Sequence, residues 1–167
     1  MFNFSLQPDQ SDEQTYIDII QQAKVLLDKE EHVVTNLANL SALLKQSFKK
    51  ISWVGFYLYD GSRLILGPFQ GKVACTSIVL GKGVCGTAAQ KQETVIVPDV
   101  HAFPGHIACD GNSSSEIVVP LLKSGKLLGV LDLDSYHMSA FNENDKIYLE
   151  ELMEFLCEKI IQTNTLL

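Results

Sequence analysis

The chain has no run approaching the roughly 18 consecutive apolar residues that a membrane helix requires, so no such span is expected. Its first residues, MFNFSLQPDQSDEQ, lack the basic-then-apolar plan of a secretory signal. Basic residues are scarce: 13 Lys and Arg against 20 Asp and Glu leave a net charge of −7. With no basic stripe either, nucleic acid and anionic membrane are poor partners. There is no repeat, linker or low-complexity tract, and no closely spaced cysteine pair to anchor zinc. These absences predict a cytoplasmic protein of one domain over residues 1–167, and 46% apolar residues suffice for a sizeable core.

What is present is thiol. Cys75, Cys85 and Cys109 each sit among small residues, in GKVACT, GKGVCG and FPGHIACDGNSSSE, where the backbone turns and a sulfur can be reached. In a cytoplasmic setting cysteines are rarely structural staples, and the bridges that form there tend to be transient and catalytic. Two thiols close enough to bridge, with a third nearby, can deliver electrons to a substrate and be reset. Cys157 differs, lying among Phe155, Leu156, Ile160 and Ile161, and reads as core or interface.

The periodicity predicts helices, then strands, then a helix. Residues 13–30 place Ile17, Ile20, Ala23 and Leu27 on one face, and residues 35–49 bury Leu37, Leu40, Leu44 and Phe48, with EEH as the break between them. Strand signals follow in ISWVGFYLY, RLILGPF and KVACTSIV, the first two joined by a DGS turn. GKG opens a short helix, TVIVPDV resumes the strand pattern, and EIVVPLLK with KLLGVLDLD makes a hairpin around Ser124 and Gly125. Asn142 caps a last helix, expected over 141–163 through Ile147, Leu152, Phe155, Leu156 and Ile160. The fold class is α+β: helices over 1–50, a central antiparallel sheet with the active-site loops over 51–135, and the closing helix.

The segments WVGFYL, GPFQGKVACT, GKGVCGTAA, DVHAFPGHIACD, SEIVVPL and GVLDLDS resemble the GAF-domain free methionine-R-sulfoxide reductases, over about two thirds of the chain. The resemblance implies a GAF fold and thiol-dependent reduction of free methionine-R-sulfoxide, with thioredoxin or another dithiol as reductant and no metal or organic cofactor. Motif by motif it makes Cys109 the attacking thiol, Cys75 the resolving thiol and Cys85 an accessory one. Glu116, Asp132 and Asp134 match its acidic substrate residues, and Trp53 and Tyr57 its aromatic wall. The departure is GNSSSE after Cys109, a loop of unusually small residues. Terminal helices on such a sheet can also offer a homodimer face. The alternative is a noncatalytic GAF module that binds a small ligand or senses oxidants through a Cys75–Cys109 bridge. The 167 residues hold no second unit to serve as output, which favours the enzyme.

The same residues can be read physically. Trp53, Gly55 and Tyr57 share a strand face, so two aromatics flank a glycine and leave a slot for an S-methyl group, unless both rings simply fill the core. Asp132 and Asp134 also share a face, about 7 Å apart. Beside the apolar LLGVL they call for a cation such as the ammonium of a free amino acid, unless they are ordinary charges near a loop. A two-residue hairpin pairs Lys123 with Lys126 and sets Glu116 opposite Leu133, on the wrong face. For the three acids to line one pocket, the hairpin slips through a three-residue loop or a bulge, or Glu116 precedes regular pairing. Three carboxyls in one dry site do not all ionise, so a proton stays available for a sulfoxide oxygen, a role given to Glu116. Cys85, after GKG and beside Lys82, is expected to have a lowered pKa and to act as a second resolving thiol, or else to be packed. A zinc site built from His101, His106 and Cys109 with Cys75 or Cys85 is disfavoured, and His106 can help keep the Cys109 thiolate charged.

Overall fold

A computed structural model describes residues 10–107 and 109–162. Helices α1 (Asp12–Leu26) and α2 (Val33–Ser47) precede strands β1 (Trp53–Tyr59), β2 (Arg63–Gln70) and β3 (Ser77–Val79). Helix α3 (Gly83–Lys91), strands β4 (Val95–Val97), β5 (Ser115–Lys123) and β6 (Lys126–Ser135) and helix α4 (Glu143–Phe155) complete the chain. The six strands form one sheet in the order β3-β2-β1-β6-β5-β4, and every paired neighbour is antiparallel. No described helix is long and apolar enough to cross a membrane.

Alternation along the strands divides the molecule in two. Val54, Phe56, Leu58, Ile117, Val119, Leu131 and Leu133 face one way and merge with α1, α2 and α4 into the larger core. Trp53, Tyr57, Val118 and Val130 face the other way, toward α3. The larger core carries the stability and leaves the α3 side free to hold polar groups.

Helix ends account for most departures from the expected boundaries. Ser11 caps α1, accepting from the Gln14 N–H at 3.2 Å, and the buried face of α1 runs through Tyr16, Ile19, Ile20 and Ala23. Ile17 is only half-buried and the helix stops at Leu26, with Leu27 already extended, while the core position goes to Tyr16, whose hydroxyl donates to Asp145 at 2.7 Å. His32 caps α2, its Nδ1 accepting from the Val34 N–H. Asn142 and Asp145 form a capping box on α4. Asp145 also receives the Lys50 ammonium at 2.6 Å, tying α1, the entry to β1 and α4 together. On α4, Ile147 is exposed, and Leu149 takes the core position expected of it. The α-helix gives way at Leu156 to a π-turn through Ile160, and residue 163 lies outside the described residues. Cys157 is fully buried there. The KVAC segment expected as strand is a loop, and only Ser77–Val79 pairs.

Candidate active site

The hairpin register decides whether the three acids meet. Ser124 and Gly125 have φ of 49° and 73°, the left-handed pair that a two-residue turn needs, and Lys123 pairs with Lys126. A bulge at Leu121/Leu122 then shifts the pairing by one residue: Leu122 faces Leu127, but Leu121 faces Gly129. From there Glu116 lies opposite Asp134 and Val118 opposite Asp132. Of the routes open from the sequence, the structure takes the bulge. On the other side of β6, Trp53 lies opposite Asp134 and Gly55 opposite Asp132. One cross-strand row is therefore Trp53, Asp134, Glu116, and the next is Gly55, Asp132, Val118.

Trp53, Tyr57, Cys85, Cys109, Glu116, Asp132 and Asp134 line a single cleft between this sheet face and the start of α3. Cys75 is absent from its lining, next to Ala74 which is part of it, and is joined to Cys109 by a disulfide with Cα atoms 5.6 Å apart, inside the usual range for a bridge. The aromatic residues hold the Cys75 loop in place. The Trp53 indole N–H donates to the Lys72 carbonyl at 3.0 Å and the Tyr57 hydroxyl to the Cys75 carbonyl at 3.2 Å.

Gly55 does not leave the expected slot. A Cβ there would lie 2.6 Å from Trp53 Cη2 and 2.4 Å from the Phe69 Cβ, so the indole already leans over the glycine. Its ring is stacked with Phe69 at 5.4 Å and with Tyr57 at 6.0 Å. At that spacing the two rings make a continuous wall with no gap for a methyl between them.

The acids are dry. Glu116 and Asp132 are each 6% exposed, while Asp134 is half-buried. Burial is the first cause raising all three carboxyls, and for Glu116 and Asp134 the Asp132 charge adds to it. Asp132 Oδ1 has no hydrogen-bond partner among the described residues. A buried acceptor left in this state is costly, which makes it a place where a ligand's donor belongs.

Cys85 departs from expectation. It is 4% exposed, with Sγ 3.9 Å from Glu116 Oε1, and burial, then the Asp132 and Glu116 charges, push its thiol well up. The helix start and Lys82 lower a thiol's pKa only where water or cations outweigh carboxylates, and here the acids face the sulfur. His106 likewise points to Glu116, Nε2 to Oε2 at 3.7 Å. The disfavoured zinc set of His101, His106 and Cys109 is not among the described groups with ligand-like spacing. The one described group with ligand-like spacing is Cys85, Glu116 and Asp132.

A clasp that the sequence did not reveal brings the two cysteine loops together. Lys72, three residues before Cys75, reaches Asp110, next to Cys109, at 3.0 Å and lies over the Tyr136 ring. The Tyr136 hydroxyl donates to the same carboxylate at 2.9 Å. Nothing in the sequence marks three residues so far apart as neighbours.

The family model for the GAF domain matches residues 27–156. The free methionine-R-sulfoxide reductase of Saccharomyces cerevisiae is 51% identical over 139 residues, covering 78% of this chain and 77% of the yeast protein. That of Escherichia coli is 45% identical over 148 residues, 89% of each chain. The chain belongs to the GAF-domain free methionine-R-sulfoxide reductase family. A solved free methionine-R-sulfoxide reductase from Neisseria meningitidis, in complex with its substrate, superposes with a TM-score of 0.86 at 47% identity, over 93% of this chain and 95% of that one. The α+β architecture read from the sequence is thus the one this GAF family shares.

Proposed function

We propose that this protein reduces free methionine-R-sulfoxide to methionine through Cys109, Cys75 and a dithiol reductant. The observation that carries the reading is the Cys75–Cys109 bridge at a cleft whose floor holds Glu116, Asp132 and Asp134, with one Asp132 oxygen unpartnered among the described residues. The relatives named as free methionine-R-sulfoxide reductases supply the substrate and its R configuration.

The substrate is a zwitterion with an apolar sulfur end, and the cleft offers a counterpart to each part. Asp132 and Asp134 receive the ammonium, which gives the orphaned Asp132 oxygen its donor. The start of α3 at Gly83, together with Lys82, faces the same cleft and suits the carboxylate, because first-turn N–H groups point outward there. The Trp53 and Tyr57 wall takes the S-methyl group.

The Cys109 thiolate attacks the sulfoxide sulfur while Glu116 protonates the oxygen. The new Cys109–substrate S–S bond weakens the S–O bond; the oxygen then passes to the Cys109 sulfur as both the S–O and the S–S bonds break, so methionine leaves and Cys109 is left as a sulfenic acid. Cys75 displaces that oxygen as water and forms the disulfide. Exchange with a dithiol, read as thioredoxin, restores both thiols and oxidises the reductant's pair. Each step is thiol chemistry and calls for no metal or organic cofactor. A cytoplasmic site of action, where such reductants reset bridges, belongs to the same proposal. So does a homodimer through the helical face, which the exposure of Val25, Val34 and Ile147 on α1, α2 and α4 supports.

The test is incubation with racemic free methionine sulfoxide, thioredoxin and its reductase, with the epimers resolved. The R epimer is expected to disappear as reductant is consumed. Persistence of both epimers refutes the reading and leaves a noncatalytic module.

A further inference from the structure

Resting on the reductase reading, we infer that His106 takes the proton from the Cys109 thiol and passes it to Glu116, linking the nucleophile to the acid. The chemistry creates the need. Cys109 loses a proton to become a nucleophile and the sulfoxide oxygen gains one, so a single proton crosses the site in each attack and none is exchanged with solvent. Glu116 is 6% exposed, and its side-chain neighbours include Cys85 at 3.9 Å, His106 at 3.7 Å and Asp132, the last a buried carboxyl that the reductase reading commits to the substrate ammonium. Cys85 holds its own proton too tightly to relay one, because burial and the facing carboxylates raise its thiol.

His106 is placed differently. It precedes Cys109 by three residues on the same loop, and both line the cleft. Its side chain is 14% exposed, while its chain neighbours Gly105 and Ile107 are exposed, so the ring lies at the cleft's edge with Nε2 turned inward to Glu116. His101 acts on this ring, and besides Glu116 the charged and titratable groups lining the same cleft are Lys82, Cys85, Cys109, Asp110, Asp132 and Asp134. Burial, then His101, lowers the imidazole's proton affinity, and burial raises that of the Glu116 carboxyl. The two are thereby drawn together, the condition under which a proton moves between them without being trapped. The 3.7 Å separation is longer than a hydrogen bond and has room to close when substrate fills the cleft.

Two readouts on reduced protein test the assignment. The first is the pH dependence of Cys109 alkylation by iodoacetamide, followed by mass spectrometry without substrate. His106→Ala is expected to move its midpoint up by about one pH unit or more, since the Cys109 thiol loses the base that takes its proton. The second is the single-turnover rate of methionine release at neutral pH, expected to fall about 10- to 100-fold in His106→Ala and to recover in part with added imidazole. His106→Asn, which hydrogen-bonds but does not titrate, is expected to stay slow. An unmoved alkylation midpoint, a His106→Asn variant with the wild-type rate, or the absence of imidazole rescue overturns the assignment. A wild-type chain that alkylates as expected but releases no methionine overturns the reductase reading instead.

Discussion

Replacing Asp132 by Asn tests the idea that folding and function oppose each other at the carboxyl cluster. Burial raises the Asp132 carboxyl from 3.8 to about 7 in the folded chain. Its contribution to stability is therefore intact below 3.8 and is lost as pH climbs through about 7. Fully expressed, a rise of this size costs the fold up to about 4 kcal/mol, of which roughly 2–3 kcal/mol accrues between about pH 5 and about pH 8.5. Asp132→Asn removes that titration. It also relieves Glu116 and Asp134, whose rise the Asp132 charge reinforces, so the coupling works in the same direction. The amide carries its own burial cost, about 1–3 kcal/mol, but this is independent of pH and cancels when two pH values are compared. The assay is urea unfolding of the disulfide-intact protein at both pH values without substrate. Stability of the variant relative to wild type is expected to rise by roughly 2–3 kcal/mol from the lower to the higher pH, a midpoint shift of about 1 M urea or more. The same variant is expected to lose most of its activity on free methionine sulfoxide. A stability difference that is flat with pH, or that moves the other way, refutes the claim that this carboxyl is held neutral by burial.

Three further outcomes are expected. Cys109→Ser abolishes even a single turnover, whereas Cys75→Ser still releases about one methionine per site and fails to recycle with thioredoxin; quenched-flow analysis that finds the reverse pattern exchanges the two roles. N-acetylmethionine sulfoxide, which carries no ammonium for Asp132 and Asp134, is expected to be a poorer substrate by a factor of hundreds to thousands in kcat/KM, corresponding to about 3–5 kcal/mol for breaking a buried charge pair; comparable rates on the free and acetylated compounds remove the ammonium site. Gly55→Ala puts a methyl group where Trp53 Cη2 and the Phe69 Cβ already lie. The expected result is a loss of about 1–3 kcal/mol with a changed Trp53 fluorescence, and an unperturbed, fully stable variant contradicts the packing described for the aromatic wall.

Much of this protein was legible in the chain because the signals are local. Strand alternation put Trp53 and Tyr57 on the same side of one strand and Asp132 and Asp134 on the same side of another, the turn chemistry of Ser124 and Gly125 marked the hairpin, and the cysteine motifs carried the pairing of Cys75 with Cys109 through their family resemblance. Other features depend on distances that no short window contains. The bulge that turns Glu116 toward Asp134 lies beside Gly129, where a Cβ would meet the Tyr57 carbonyl of β1, a close approach that shows only once the strands are paired. Cys85 has the sequence setting of an activated thiol, yet tertiary packing buries its sulfur and then sets carboxyls against it, and together these raise the thiol despite the helix start. Ile147 and Leu149 are equally apolar, and only the direction from which the sheet approaches α4 decides that Leu149 is buried and Ile147 exposed. The Lys72, Asp110, Tyr136 clasp likewise exists only once three separate segments converge. Sequence by itself determined which groups the protein would use; the fold decided which of them face one another without water between, and that exclusion sets their proton affinities.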